Sequence, residues 1–131
     1  MSVVLIIDDE PQMRSMMRRV LAAAGHSVVE AGNGREGLAA FQSYAPDIVI
    51  TDIIMPEKEG IETIIELCQA THRAKIIAVS GSFTHEGPDF LTMASRFGAD
   101  VVLQKPFRAA ELQHAVERLT AAARTDSVAV Q

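Results

Sequence analysis

The stretches VVLIIDDEP at 3–11 and DIVITDIIMP at 47–56 decide the fold. Each opens with a short, largely β-branched apolar run and ends in acid: Asp8 and Asp9 in the first, Asp52 in the second. Runs of this kind read as strands buried on both faces, and their ends converge at the rim of a parallel sheet. That rim is where open α/β sheets bind ligands. Two unit negative charges about 4 Å apart repel by roughly 4 kcal/mol at an effective dielectric near 20, so three gathered acids call for a cation. A divalent metal is the economical answer.

Working outward, Met13, Met16, Met17, Val20, Leu21 and Ala24 mark one face of a helix over 11–24, with Pro11 suited to its first turn and Gly25 to its end. A strand follows at 27–31, then a helix at 35–44 with Leu38 and Phe41 inward. After Pro46 come a strand at 47–52, a loop holding Met55 and Pro56, and a helix at 59–70. A strand at 75–80 precedes a Gly/Ser/Thr/Pro-containing loop, a helix at 88–97 closed by Gly98, a strand at 101–104 and a helix at 107–121. Strand and helix alternate five times. Right-handed crossovers then cover both faces of a parallel sheet, so the class is doubly wound α/β. Residues 1–121 form one domain, and 122–131, which lack periodicity, form a flexible C-terminal tail.

Composition agrees. The 131 residues are 48% hydrophobic and 22% charged, ordinary for a globular chain and unlike a disordered one. A net charge of −5 argues against a nucleic-acid surface. Arg14, Arg18 and Arg19 form the one basic cluster, a solvated helix face or a dock for an acidic partner. Cys68 cannot make an internal disulfide and falls in phase with Ile61, Ile64 and Ile65 as a small buried hydrophobe. There is no secretory pattern and no apolar run of roughly 20 residues, so a cytoplasmic location away from membranes is expected. His26, His72, His85 and His114 are scattered and read as surface residues.

The rim carries a chemistry. Hard oxygen ligands suit Mg²⁺, which keeps several waters and favours phosphate oxygens, so a phosphoryl group is the expected third party. Ser80, after the fourth strand, offers a hydroxyl to a phosphoryl oxygen, and Lys105, after the fifth, offers a compact cation. Asp52 stands apart from the Asp8–Asp9 pair and is assigned as the nucleophile that holds phosphate as an acyl phosphate.

The chain resembles a response-regulator receiver domain of two-component signalling. The resemblance rests on IIDDEP at 6–11, GNGREGL at 32–38, DIVITDIIMPEKEG at 47–60, IIAVSGS at 76–82 and GADVVLQKPF at 98–107. It implies a flavodoxin-like sheet of order 2-1-3-4-5 with five helices. It also implies Asp52 as phosphoacceptor, Asp9 as a direct Mg²⁺ ligand, Asp8 as a ligand through water and the backbone carbonyl of Ile54 as a further ligand. Ser80 becomes the switch hydroxyl and Lys105 the phosphate-contacting lysine, with a cis peptide before Pro106. The implied partners are a sensor histidine kinase or a histidine phosphotransfer protein. A downstream protein, or a second copy in a homodimer, would use the face of the fourth helix, fifth strand and fifth helix, roughly 88–120.

Some residues depart from the family pattern. Val102 stands where an aromatic ring usually couples phosphate to the output face, and the connection after Ser80 is longer, which suggests that this loop or the helix after it moves instead. Ile54 offers no polar group to steer an attacking water, which would lengthen the acyl phosphate's life. Lys58 and Glu59 replace the more usual Met and Asp. Glu10, near a helix start, either favours the helix dipole or joins the metal site.

Rival functions are weaker. Gly32, Gly34 and Gly37 spell the dinucleotide pattern G-x-G-x-x-G, but that fingerprint normally opens the first βα unit and leaves Asp8, Asp9 and Lys105 unused. A turn at Asn33-Gly34 and close helix packing at Gly37 explain the glycines equally well. An aspartyl-phosphate phosphohydrolase would want a second acid where Ile54 sits. A pseudo-receiver, binding partners independently of phosphorylation, would leave the chemical residues idle.

Overall fold

Buried strand backbones must find hydrogen-bond partners in neighbouring strands, and strands apolar on both faces need helices on either side. The computed structural model describes residues 2–52, 60–69, 74–80 and 98–129, without the side chains of residues 60, 61, 68, 80 and 122–129. In chain order these form β1 (Val3–Ile7), α1 (Pro11–Ala23), β2 (Ser27–Ala31), α2 (Gly34–Tyr44), β3 (Ile48–Asp52), α3 (Gly60–Gln69), β4 (Lys75–Ser80), β5 (Val101–Gln104) and α4 (Ala109–Ala129). All strand pairs are parallel, in the order β2-β1-β3-β4-β5. The expected helix at 88–97, the loop before it, and Ile54, Lys58 and Glu59 lie outside the described residues, as does the side chain of Cys68.

Strand periodicity divides the interior in two. Leu5, Ile7, Val49, Ile76 and Ala78 join Phe41, Ile64 and Leu67 on one side of the sheet. Val4, Ile6, Ile48, Ile50, Ile77 and Val79 join Met17, Leu21, Leu112, Val116 and Leu119 on the other. β3, at the centre, is buried throughout. β5, at the edge, alternates: Val101 and Leu103 pack inward, while Val102 is 37% exposed.

The sheet's N-terminal margin is tied by two matching clamps. Asp47 N donates to Val3 O and its Oδ2 accepts from Val3 N, both at 2.8 Å. Asp100 repeats the pattern against Ile76, its N donating to Ile76 O and its Oδ2 accepting from Ile76 N, again at 2.8 Å. One clamp sets β3 beside β1, and the other sets β5 beside β4.

Local signals fix the helix ends. Gly25 at φ +94° ends α1, with Gly25 N donating to Ala22 O and His26 N to Leu21 O, which satisfies the last turn. At α2, Asn33 proves to be a cap more than a turn residue: its Oδ1 accepts from Glu36 N at 2.8 Å, while Glu36 Oε2 accepts from Gly32 N at 2.9 Å. That reciprocal pairing satisfies backbone donors the helix leaves open. α4 differs from the expected 107–121, beginning at Ala109 and continuing to Ala129. Its last turns lack an apolar stripe, but AAARTDSVA contains no Gly or Pro and is rich in alanine, so propensity extends the helix beyond its packed length.

Gly37 packs against β1 as the sequence suggested. A Cβ there would lie 2.4 Å from Ile7 Cδ1 and 2.8 Å from Ile7 Cγ1, and Ile7 is fully buried. The glycine pattern follows β2 at the sheet's edge and serves helix capping and packing, which leaves the dinucleotide reading without support. Gly37→Ala is expected to lower stability in urea unfolding by about 1–3 kcal/mol through overpacking. Adding Ile7→Val, which removes the obstructing Cδ1, should make the double variant lose less than the sum of the two single losses.

Candidate functional site

β1 and β3 lie side by side at the centre of the sheet, so the residues that end them meet at its rim. Asp8, the residue after β1, keeps the sheet ladder through its N–H to Ala31 O at 3.1 Å and is fully buried. Asp52 ends β3 and is 5% exposed. Asp9 and Glu10, next along the loop, are exposed. One carboxylate oxygen from each of Asp8, Asp9, Glu10 and Asp52 lies within 4.8 Å of the others.

Lys105 completes the arrangement from the other end of the chain. Ser80 pairs with Gln104 in the sheet, so Lys105 emerges one residue past the edge of β5. Its Nζ donates to Asp8 Oδ2 at 3.0 Å and to Asp52 Oδ2 at 3.1 Å, with Glu10 Oε1 at 3.8 Å. The peptide between Lys105 and Pro106 is cis, as the resemblance implied. Burial, the largest influence, pushes the Lys105 ammonium pKa down, but hydrogen bonding to Asp8 and the negative charges of Asp52 and Asp8 together hold it above its ordinary value. The ammonium is therefore firmly charged at neutral pH. Its contribution to stability is full below the ordinary lysine pKa and is lost only as pH rises through the higher folded value.

Four carboxylates against one ammonium leave a net negative pocket. Each unscreened pair near 4 Å costs about 4 kcal/mol at an effective dielectric near 20, and Lys105 reaches mainly two of the four. The donor set is all hard oxygen, with two acids buried and two open to solvent, which fits a small divalent cation such as Mg²⁺ that keeps part of its water. Asp8, Asp9 and Asp52 are thus brought together with Lys105 as the sequence anticipated. The backbone of Ser80 lies at the same rim, while its hydroxyl and the carbonyl of Ile54 lie outside what is described.

The sequence missed the part played by Arg14. It read Arg14, Arg18 and Arg19 as an outer face, yet Arg14 Nη1 donates to Asp8 O at 2.7 Å, and Arg14 Nε lies 3.5 Å from Glu30 Oε1. Arg18 pairs with the same glutamate. Glu30 on β2 therefore anchors Arg14, which grips the backbone carrying the acidic pair. The signal was present in the i, i+4 spacing of Arg14 and Arg18 opposite an acid on the neighbouring strand. Arg19 remains exposed.

Known proteins share this fold. The family model for the response regulator receiver domain matches residues 4–117. The chain is 36% identical over 119 residues to the chemotaxis protein CheY of Thermotoga maritima, a match covering 89% of this chain and 96% of that protein. It is similar in structure to a response regulator receiver domain protein from Clostridium thermocellum, at TM-score 0.86 and 28% identity over 95% of this chain and 98% of that one. NtrX from Brucella abortus is similar at TM-score 0.87 and 26% identity, over 98% of this chain but 28% of the longer NtrX chain. A family model spanning residues 4–117 and a relative 36% identical over most of both chains agree with the parallel sheet and its acidic rim: the chain belongs to the response regulator receiver domain family of two-component signalling.

Proposed function

We propose that the rim is a Mg²⁺-dependent phosphoacceptor site in which Asp52 takes a phosphoryl group from a sensor histidine kinase or a histidine phosphotransfer protein. The observation that carries this reading is the bridge from the Lys105 ammonium to both Asp8 and Asp52. Asp52 Oδ attacks phosphorus, a P–O bond forms as the P–N bond of phosphohistidine breaks, and the histidine nitrogen leaves with the electron pair and takes up a proton. Lys105 already sits where negative charge develops on the phosphoryl oxygens, so it stabilises transfer without rearranging far. Asp9, Asp8, Asp52 and the Ile54 carbonyl would hold Mg²⁺, which supplies charge neutralisation when bound, and the Ser80 hydroxyl would donate to a phosphoryl oxygen.

The chain thereby catalyses its own phosphorylation and, with water as the attacking group, its own dephosphorylation. Ile54, two residues after Asp52 in sequence, has no polar side-chain group to orient that water, which favours a long-lived acyl phosphate. Phosphate biases two conformations only through contacts that differ between them, and these come from Lys105 and Ser80. The product is a change in protein binding in the cytoplasm through residues 88–120, with a downstream protein or a second copy, carried by a working unit of residues 1–121. Membranes and nucleic acid have no place in it.

Incubation with acetyl phosphate and Mg²⁺ should add one phosphoryl mass to the intact protein, and Asp52→Asn or removal of Mg²⁺ should abolish the gain. A wild-type chain that gains no phosphate from acetyl phosphate or from any histidine kinase overturns the proposal. Lys105→Met leaves two buried carboxylates without their shared cation. Metal-free stability should fall by about 3 kcal/mol, as for other broken buried ion pairs. Added Mg²⁺ should then stabilise the variant more than the wild type, as measured by urea unfolding with and without the ion.

A further inference from the structure

Glu10 occupies the N-cap of α1, a position where short polar side chains normally accept a hydrogen bond from the helix. Its side chain makes no such bond, and Pro11 at the first helical position has no N–H to offer. The carboxylate points elsewhere. Glu10 Oε1 lies 3.8 Å from Lys105 Nζ with the side chain 63% exposed, and the carboxylate shares the 4.8 Å cluster with Asp8, Asp9 and Asp52. Asp8 Oδ1 accepts from Glu10 N at 2.8 Å, so an acid of the pair itself fixes the backbone that aims Glu10.

Mg²⁺ keeps several waters when few carboxylates bind it, and those waters need acceptors. Groups one shell out from a metal tune its affinity, typically by about 10- to 100-fold. We infer that Glu10 is an affinity-determining residue of the metal site: it accepts from the ion's water shell and places a negative charge at the pocket mouth that disfavours small anionic phosphodonors. Mg²⁺ binding and donor choice are thereby coupled through one exposed side chain. This inference rests on the Mg²⁺ reading above.

Isothermal titration of the full chain with MgCl₂, for wild type, Glu10→Gln, Glu10→Lys and Asp9→Asn, separates the two. Outer-shell substitutions typically weaken metal binding about 10- to 100-fold, and for a group this exposed screening reduces the expected loss in Glu10→Gln to about 3- to 10-fold. Glu10→Lys should lose more, and the difference from wild type should shrink near 1 M salt, where the Debye length falls to about 3 Å. At saturating Mg²⁺, Glu10→Gln should label faster with acetyl phosphate. A helix-dipole role predicts the opposite pattern, a lower melting temperature without metal and an unchanged Mg²⁺ affinity. That pattern, or a Glu10→Gln affinity within about twofold of wild type while Asp9→Asn loses binding, overturns the inference and leaves the phosphoacceptor reading standing. Absence of Mg²⁺ binding by wild type overturns both.

Discussion

The ammonium of Lys105, held between two carboxylates with almost no access to water, is the contact on which the site depends. It joins residues 97 and 53 positions apart in the chain, reaching from beyond β5 across β4 to β3 and β1. Only the observed strand order brings these ends to one rim. Buried ion pairs of this kind are weak evidence for stability, because desolvation consumes much of the attraction. The pair is better explained by what it prepares, a positive charge already in place beside the carboxylate proposed to accept phosphate.

The rest of the fold serves that placement. The central strands β1, β3 and β4 send alternate side chains into two separate apolar layers, so they cannot slide by one residue without exchanging every buried side chain between faces. Gly37 brings α2 directly against Ile7, one residue before Asp8. Arg14, braced by Glu30, holds the Asp8 carbonyl from the other side. The acidic pair is therefore held by backbone and by packing, with the Asp8 carboxylate turned to Lys105 and Glu10 N and that of Asp9 open to solvent.

Most of this was legible because it depends on local composition. Short β-branched runs ending in acid announced the rim, alternation announced the sheet, and Gly37 could be read as a packing glycine from its place in a helix. What escaped depends on the third dimension. Arg14 has the spacing of a surface residue, and only β2 lying beside β1 supplies Glu30 to turn it inward. Asn33-Gly34 looks like a turn until Glu36 folds back to complete a cap. Glu10 matches a helix start in sequence, yet its carboxylate is drawn to Lys105, which is remote in the chain. The end of α4 was misjudged because periodicity reports burial, and a helix can outrun the surface that buries it.

The twin aspartate clamps at the sheet's far margin give the molecule a mechanical asymmetry. Asp47 and Asp100 lock neighbouring strands at their starts, whereas the opposite margin carries the clustered carboxylates of Asp8, Asp9, Glu10 and Asp52. A sheet anchored along one edge and loaded along the other behaves as a cantilever. A change of charge at the rim therefore acts at the strand ends farthest from the clamps that fix the register.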